Sequence, residues 1–89
     1  MPRRRALITV TIYSRPGCHL CDDMKDLVRR VARTIPLTLE DIDIYGDDEL
    51  EERYGLEIPV LFVEGERVAS ARITEDALVR ILSKRVPGT

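Results

Sequence analysis

The chain has 89 residues, with 14 Lys or Arg against 16 Asp or Glu and a formal net charge of −2. That length is expected to form one small domain, because a chain this short buries only about 60 to 65% of its unfolded surface. Leu, Ile, Val and Phe supply 27 residues, enough to exclude a disordered chain. The negative net charge argues against a general nucleic-acid binder.

Taken in chain order, residues 6–13 (Ala-Leu-Ile-Thr-Val-Thr-Ile-Tyr) form the longest apolar stretch. It is far short of the roughly 20 residues that span a bilayer. No small-residue cleavage site follows Arg3, Arg4 and Arg5, so a cytoplasmic protein with a frayed basic terminus is expected. The stretch is rich in β-branched residues and reads as a strand buried on both faces, stopped by Ser14-Arg15-Pro16-Gly17. Leu20, Met24, Leu27, Val28, Val31 and Ile35 then share one stripe of a helix running from Cys18 to about Thr34, and Pro36 ends it. Leu37 to Ile42 is a second strand whose alternation changes phase between Leu39 and Ile42.

Asp48 with Glu51 three residues on opens a short helix over 48–54, anchored by Leu50 and Tyr54 and closed by Gly55. Val60 to Val63, then Glu64-Gly65, then Glu66 to Ser70 read as a hairpin in which Gly65 supplies a positive φ. Thr74 caps a last helix with Ala77, Leu78, Ile81 and Leu82 facing inward, ending at about Lys84. The order is β-α-β-α-β-β-α. A helical crossover makes the first two strands parallel, and the tight turn makes the last two antiparallel. An α/β fold follows, with a four-stranded mixed sheet and helices on both faces.

Charge is unevenly spread: residues 1–36 carry +5, residues 37–65 carry −9 and residues 66–89 carry +2. The acidic middle reads either as a solvated face or as a partner-selecting surface, with Asp47, Asp48 and Glu49 placed where a helix dipole favours carboxylates.

The chemistry lies at the end of the first strand. Cys18 and Cys21 are the only two cysteines, and a Cys-x-x-Cys at a strand-to-helix junction within a β-α-β pattern is the signature of a redox dithiol. At helical spacing, Cβ atoms three residues apart lie about 5 to 6 Å from each other, and a disulfide needs about 3.5 to 4.5 Å. A small adjustment closes the bond. Cys18 meets the free N–H groups of the helix start, where thiol pKa values fall to roughly 3.5 to 7.5, so it is the expected attacking sulfur. Cys21, one turn inside, is the resolving sulfur.

Two other readings of the pair stand beside this one. Half of a zinc site would need further ligands, and His19 is the only other soft candidate nearby. An inert buried pair fits the position of Cys21 on the apolar stripe and not that of Cys18. His19 is either a spectator or a cation that holds down the Cys18 pKa. Asp22 and Asp23 either complement the helix N-terminus or offer a proton acceptor beside Cys21. Arg15 is either solvated or aimed at the thiolate and a substrate carboxylate.

Arg15-Pro16-Gly17-Cys18-His19-Leu20-Cys21, followed by Ile58-Pro59-Val60-Leu61-Phe62-Val63-Glu64-Gly65, resembles the glutaredoxin branch of the thioredoxin superfamily. The likeness is greatest to the small bacterial glutaredoxin-like proteins with a Cys-His-Leu-Cys motif. It covers about residues 6–84, so residues 1–89 are expected to be a single glutaredoxin-like domain with a thioredoxin-like fold.

The resemblance implies that Pro59 is the cis-proline beside the cysteines, with the backbone of Ile58 pairing with an extended substrate or glutathione. It puts Arg15 where glutaredoxins usually carry a lysine that reaches the glycine carboxylate of glutathione. Glu57-Ile58-Pro59 replaces the usual Thr-Val-Pro. Arg72-Ile73-Thr74-Glu75-Asp76 falls where the family has Gly-Gly-x-Asp-Asp, so both glycines that let a backbone approach the γ-glutamyl end are missing, and Arg72 can itself pair with a carboxylate.

The implied activity is thiol-disulfide oxidoreduction, in which a Cys18/Cys21 dithiol reduces protein disulfides or glutathione mixed disulfides. Electron transport and redox homeostasis are the corresponding roles. Glutathione or a thioredoxin-type reductase restores the dithiol. No metal or organic cofactor is required, glutathione can serve as co-substrate, and no nucleic acid or membrane is engaged by what is expected to be a monomer. Two rivals follow from the same residues. One is a module in which two protomers hold a two-iron two-sulfur cluster through Cys18 and glutathione, and the other is a redox-inactive scaffold that docks partners on its acidic middle third.

Overall fold

A computed structural model describes residues 7–85. The arginine run at 3–5, the expected strand start at Ala6 and the C-terminal residues 86–89 lie outside the described residues. The elements are β1 (Ile8–Ser14), α1 (His19–Val31), β2 (Leu37–Asp43), α2 (Asp48–Tyr54), β3 (Val60–Val63), β4 (Glu66–Ser70) and α3 (Glu75–Ser83). They form one four-stranded sheet in the order β2-β1-β3-β4. β1 runs parallel to β2, with Ile8 beside Leu37 and Ser14 beside Asp43. β3 is antiparallel to both β1 and β4.

Strand alternation divides the core in two. Ile8, Val10 and Ile12 of β1 and Leu61 and Val63 of β3 pack against Met24, Leu27, Val28 and Val31 of α1 and Leu78 and Leu82 of α3. On the other face Ile44, Tyr54 and Val60 form a smaller cluster, joined by Tyr13, Leu50, Ile58 and Phe62. Tyr13 and Tyr54 stack at 4.4 Å between ring centroids, with Phe62 edge-on to both. β1 is therefore not sealed on both faces as its composition suggests. Its even-numbered residues are buried and its odd-numbered ones half-buried, because two helices cover the first face and the seven-residue α2 alone covers the second.

The helix ends differ from expectation in instructive ways. Cys18 is the N-cap of α1 rather than its first helical residue. At the other end Arg33 and Thr34 donate to carbonyls three residues back, at 3.2 and 3.0 Å, so the last turn tightens and regular helix stops at Val31. α2 is capped by Asp47, whose side chain accepts from the N–H of Leu50 at 3.1 Å, and not by an Asp48/Glu51 pair. Thr74 caps α3 as expected, accepting from Ala77 at 3.1 Å. The β3–β4 turn needs positive φ at both Glu64 (53°) and Gly65 (82°), the geometry of a type I′ hairpin.

The phase change in β2 has a physical reason. Leu37 and Leu39 share the α1 side of the sheet, where Asp41 would be next, while Ile42 turns to the α2 side. Asp41 holds the α1-side position with polar partners: Ser14 Oγ donates to it at 2.9 Å, and Lys25 Nζ of α1 lies 2.9 Å from its other oxygen. This network closes β1, β2 and α1 together just behind the end of β1, and Ser14 is the one buried polar residue among the described residues.

Two stability predictions follow. Leu78 has no exposed surface, so Leu78→Ala is expected to cost about 2 to 5 kcal/mol, read as a lower midpoint in urea unfolding. Burial alone would raise the Asp41 pKa, but hydrogen bonds from Lys25 and Ser14 and the charges of Lys25 and Arg29 outweigh it and hold the carboxyl below its ordinary value. A depressed folded pKa stabilises the fold above the unfolded pKa and is lost as pH falls through the folded one. Asp41→Asn should therefore destabilise at pH 7 by at most about 1 kcal/mol, and the gap to wild type in urea titrations should close towards pH 3. A gap that widens on acidification would contradict this origin.

Candidate active site

The cysteine-bearing segment begins where β1 leaves the core. Ser14 is anchored by Asp41, and the chain turns through Arg15, Pro16 and Gly17, the glycine adopting φ +77° with open space around its Cα. Cys18 follows in an extended conformation (φ −100°, ψ 110°), and α1 starts at the next residue. The turn brings Cys18 Sγ 3.1 Å from the backbone N–H of Cys21, which donates to it, while the Cys18 carbonyl accepts from Asp22 at 3.1 Å. The sulfur thus sits where a side-chain oxygen normally caps a helix, against N–H groups that no carbonyl satisfies.

Cys18 and Cys21 are joined as a disulfide, with Cα atoms 5.2 Å apart. Cys21 is fully buried on the inward stripe of α1 and Cys18 is half-exposed. One sulfur faces solvent and the other lies beneath it. His19, the first residue of α1, is exposed.

The second wall of the site is the segment entering β3. The Ile58–Pro59 bond is cis, Pro59 is buried, and the next residue, Val60, pairs with Tyr13 at the end of β1. The start of β3 and the end of β1 therefore meet on the edge of the sheet from which the cysteine turn departs. The carbonyl of Pro59 accepts from Ala71 at 2.8 Å. Among the described residues no hydrogen bond engages the backbone of Ile58, whose side chain packs on the Tyr54 cluster. Glu57, just before it, is paired with Arg67 of β4.

Arg72 is exposed and lies on the connection from β4 to α3, after Ala71, which takes φ +68°. That connection and α1 enclose an open groove of about 380 Å³, with Leu20, Asp23, Met24 and Leu27 on the helix side and residues 71–74 on the other. Arg15 does not share this groove. Its guanidinium turns towards α2, where Nη2 donates to Glu51 Oε1. The structure thus brings Cys18, Cys21 and His19 together at one helix start, sets Ile58 and Pro59 beside the end of β1, and places Arg72 across a groove on the flank of α1.

Several contributors to this region carry no local signal. Glu51 is 36 residues from the arginine it holds, and Asp41 is 27 from Ser14, so neither pairing shows as a short motif. The phase change of β2 is the only trace of the second. Arg15, by contrast, was open to view as a cation near the cysteines, and only its partner was hidden.

Comparison with known proteins agrees with this geometry. The glutaredoxin-like domain (DUF836) matches residues 9–83. A glutaredoxin-like protein of Dictyostelium discoideum is 27% identical over 77 residues, covering 80% of this chain and 71% of its own. The solution structure of a Nitrosomonas europaea protein superposes with a TM-score of 0.76 at 28% identity, over 92% of this chain and 99% of that one. An X. campestris protein superposes with a TM-score of 0.72 at 31% identity, over 84% and 96% of the respective chains. A thioredoxin from Halobacterium salinarum shares the fold at 23% identity, with a TM-score of 0.64 over 92% and 77%. With a β-α-β-α-β-β-α thioredoxin-like fold and a paired Cys-x-x-Cys at its first helix, the chain belongs to the glutaredoxin-like family of the thioredoxin superfamily.

Proposed function

We propose that the protein is a thiol-disulfide oxidoreductase with Cys18 as nucleophile and Cys21 as resolving thiol. The observation that carries this is the stacking of the pair: a half-exposed sulfur at the N-cap of α1 with its bonded partner buried one turn behind. In the reduced protein the Cys18 thiolate attacks a substrate disulfide, R–S–S–R′, forming Cys18–S–S–R and releasing R′S⁻. Cys21 then gives up its proton and attacks the Cys18 sulfur, which forms the Cys18–Cys21 bond and releases RS⁻. Two electrons pass from the dithiol to the substrate, and two thiolates leave to take up protons.

The helix start favours the first step because its N–H groups and dipole stabilise sulfur as an anion, and they do so again when Cys18 is the leaving group. Ile58 and Pro59 serve as the substrate wall, since the free backbone of Ile58 is able to pair with an extended chain lying across Cys18. His19 adds a cation near the thiolate when protonated. Arg72 and the groove on the flank of α1 take the remainder of the substrate. Substrates are protein disulfides or glutathione mixed disulfides, and a thiol reductant, glutathione or a thioredoxin-type reductase, returns the pair to the dithiol.

Reduced protein should be oxidised stoichiometrically by a low-molecular-weight disulfide, followed by acid quench and mass spectrometry. Cys18→Ser is expected to fall to the rate of an ordinary buried thiol, whereas Cys21→Ser should accumulate a mixed disulfide on Cys18. Iodoacetamide at pH 7 should label Cys18 well ahead of Cys21 in the reduced wild type. An unchanged exchange rate in Cys18→Ser would end this reading.

A further inference from the structure

We infer that Glu51 determines substrate choice by occupying the Arg15 guanidinium, so that the site favours disulfides flanked by neutral or basic groups over those bearing a carboxylate. The inference rests on the thiol-exchange reading above. Arg15 is three residues ahead of Cys18 and is the cation nearest to it on the turn out of β1. In this position a guanidinium is suited to grip a carboxylate next to the sulfur under attack. The fold supplies that carboxylate itself, from Glu51 on α2.

Two features distinguish this pair from an incidental surface contact. Among the described residues Arg15 Nε is enclosed without an acceptor, so the side chain is held against the protein rather than extended into water. Gly55 has φ −54°, a value open to any residue, so its identity is not a matter of backbone conformation. A Cβ there would overlap the Glu51 carbonyl oxygen and stand only 3.2 Å from Arg15 Nη2 and 3.3 Å from Glu51 Oε1. The hard overlap is with α2's own carbonyl, and the absent side chain also leaves the charged ends of Arg15 and Glu51 uncrowded beside it.

An incoming carboxylate must therefore displace Glu51 or share the guanidinium with it. Sharing sets two anions side by side on a helix that also carries Asp48, Glu49 and Glu52, with only Arg53 of opposite sign. A neutral or cationic flanking group meets neither cost. Cystine-linked peptides with uncharged or basic neighbours are then the better substrates, and glutathione, with its two carboxylates, is the poorer one.

The test follows oxidation of fully reduced protein by three disulfides: glutathione disulfide, the neutral bis(2-hydroxyethyl) disulfide and the cationic cystamine. Each follows the balanced exchange given above. Glu51→Gln is expected to raise the rate with glutathione disulfide about two- to five-fold, the worth of a half-exposed ion pair, and to leave the neutral disulfide unchanged. The gain should vanish in an Arg15→Gln background and should not be reproduced by Glu52→Gln, which removes a charge from the same helix. An equal gain with all three disulfides, no gain with glutathione disulfide, or a gain that survives loss of Arg15 overturns the assignment. Wild-type protein that reacts with none of the three faster than free cysteine would instead overturn the thiol-exchange reading itself. The neutral disulfide rate reports folding and thiol reactivity in every variant.

Discussion

The hydrogen bond from the Cys21 N–H to Cys18 Sγ is the contact on which the site depends. It exists because β1, pinned between β2 and β3, delivers the chain to one edge of the sheet, and a three-residue turn with one left-handed glycine then reverses into α1. α1 cannot shift without withdrawing Met24, Val28 and Val31 from the core, so the donor is held in register with the sulfur by hydrophobic packing. Stability and the geometry of the cysteine pair are thus coupled through one helix. The buried stripe sets where α1 lies, and its N-terminus inherits that position.

Around this point the molecule is asymmetric. The α1/α3 side of the sheet is a continuous aliphatic core, and the α2 side is a small aromatic cluster under a short, acidic helix. Two basic side chains on either side of the cysteines in sequence are paired on these two sides, Lys25 with Asp41 of β2 and Arg15 with Glu51 of α2. The acidic middle third of the chain is therefore partly spent on internal partners, although Asp48, Glu49 and Glu52 remain at the surface.

Much of the fold was legible because its signals are local. The spacing of Leu20, Met24, Leu27, Val28 and Val31 marks α1, Glu64-Gly65 marks the hairpin, and Thr74 marks the start of α3, each within one turn or two of the chain. Cys18 and Cys21 were legible for the same reason. What could not be read were features decided by tertiary neighbours. The half-open face of β1 depends on how short α2 is, the cap of α2 passed from Asp48 to Asp47 by a shift of one residue, and Gly55 leaves room for the Glu51 carbonyl one turn back and for two side chains beside it. The cis bond at Pro59 entered through family likeness alone, since nothing in the neighbouring residues distinguishes it from an ordinary proline.

The aromatic arrangement has an optical consequence. The chain contains no tryptophan, three tyrosines and one phenylalanine. Tyr45 is largely exposed, whereas Tyr13 and Tyr54 are stacked with Phe62 beneath α2. The aromatic part of the near-ultraviolet circular dichroism therefore reads chiefly from that one cluster, apart from the separate band of the Cys18–Cys21 disulfide. The aliphatic core under α1 and α3 is spectrally silent, which makes the docking of α2 the most visible event in the molecule.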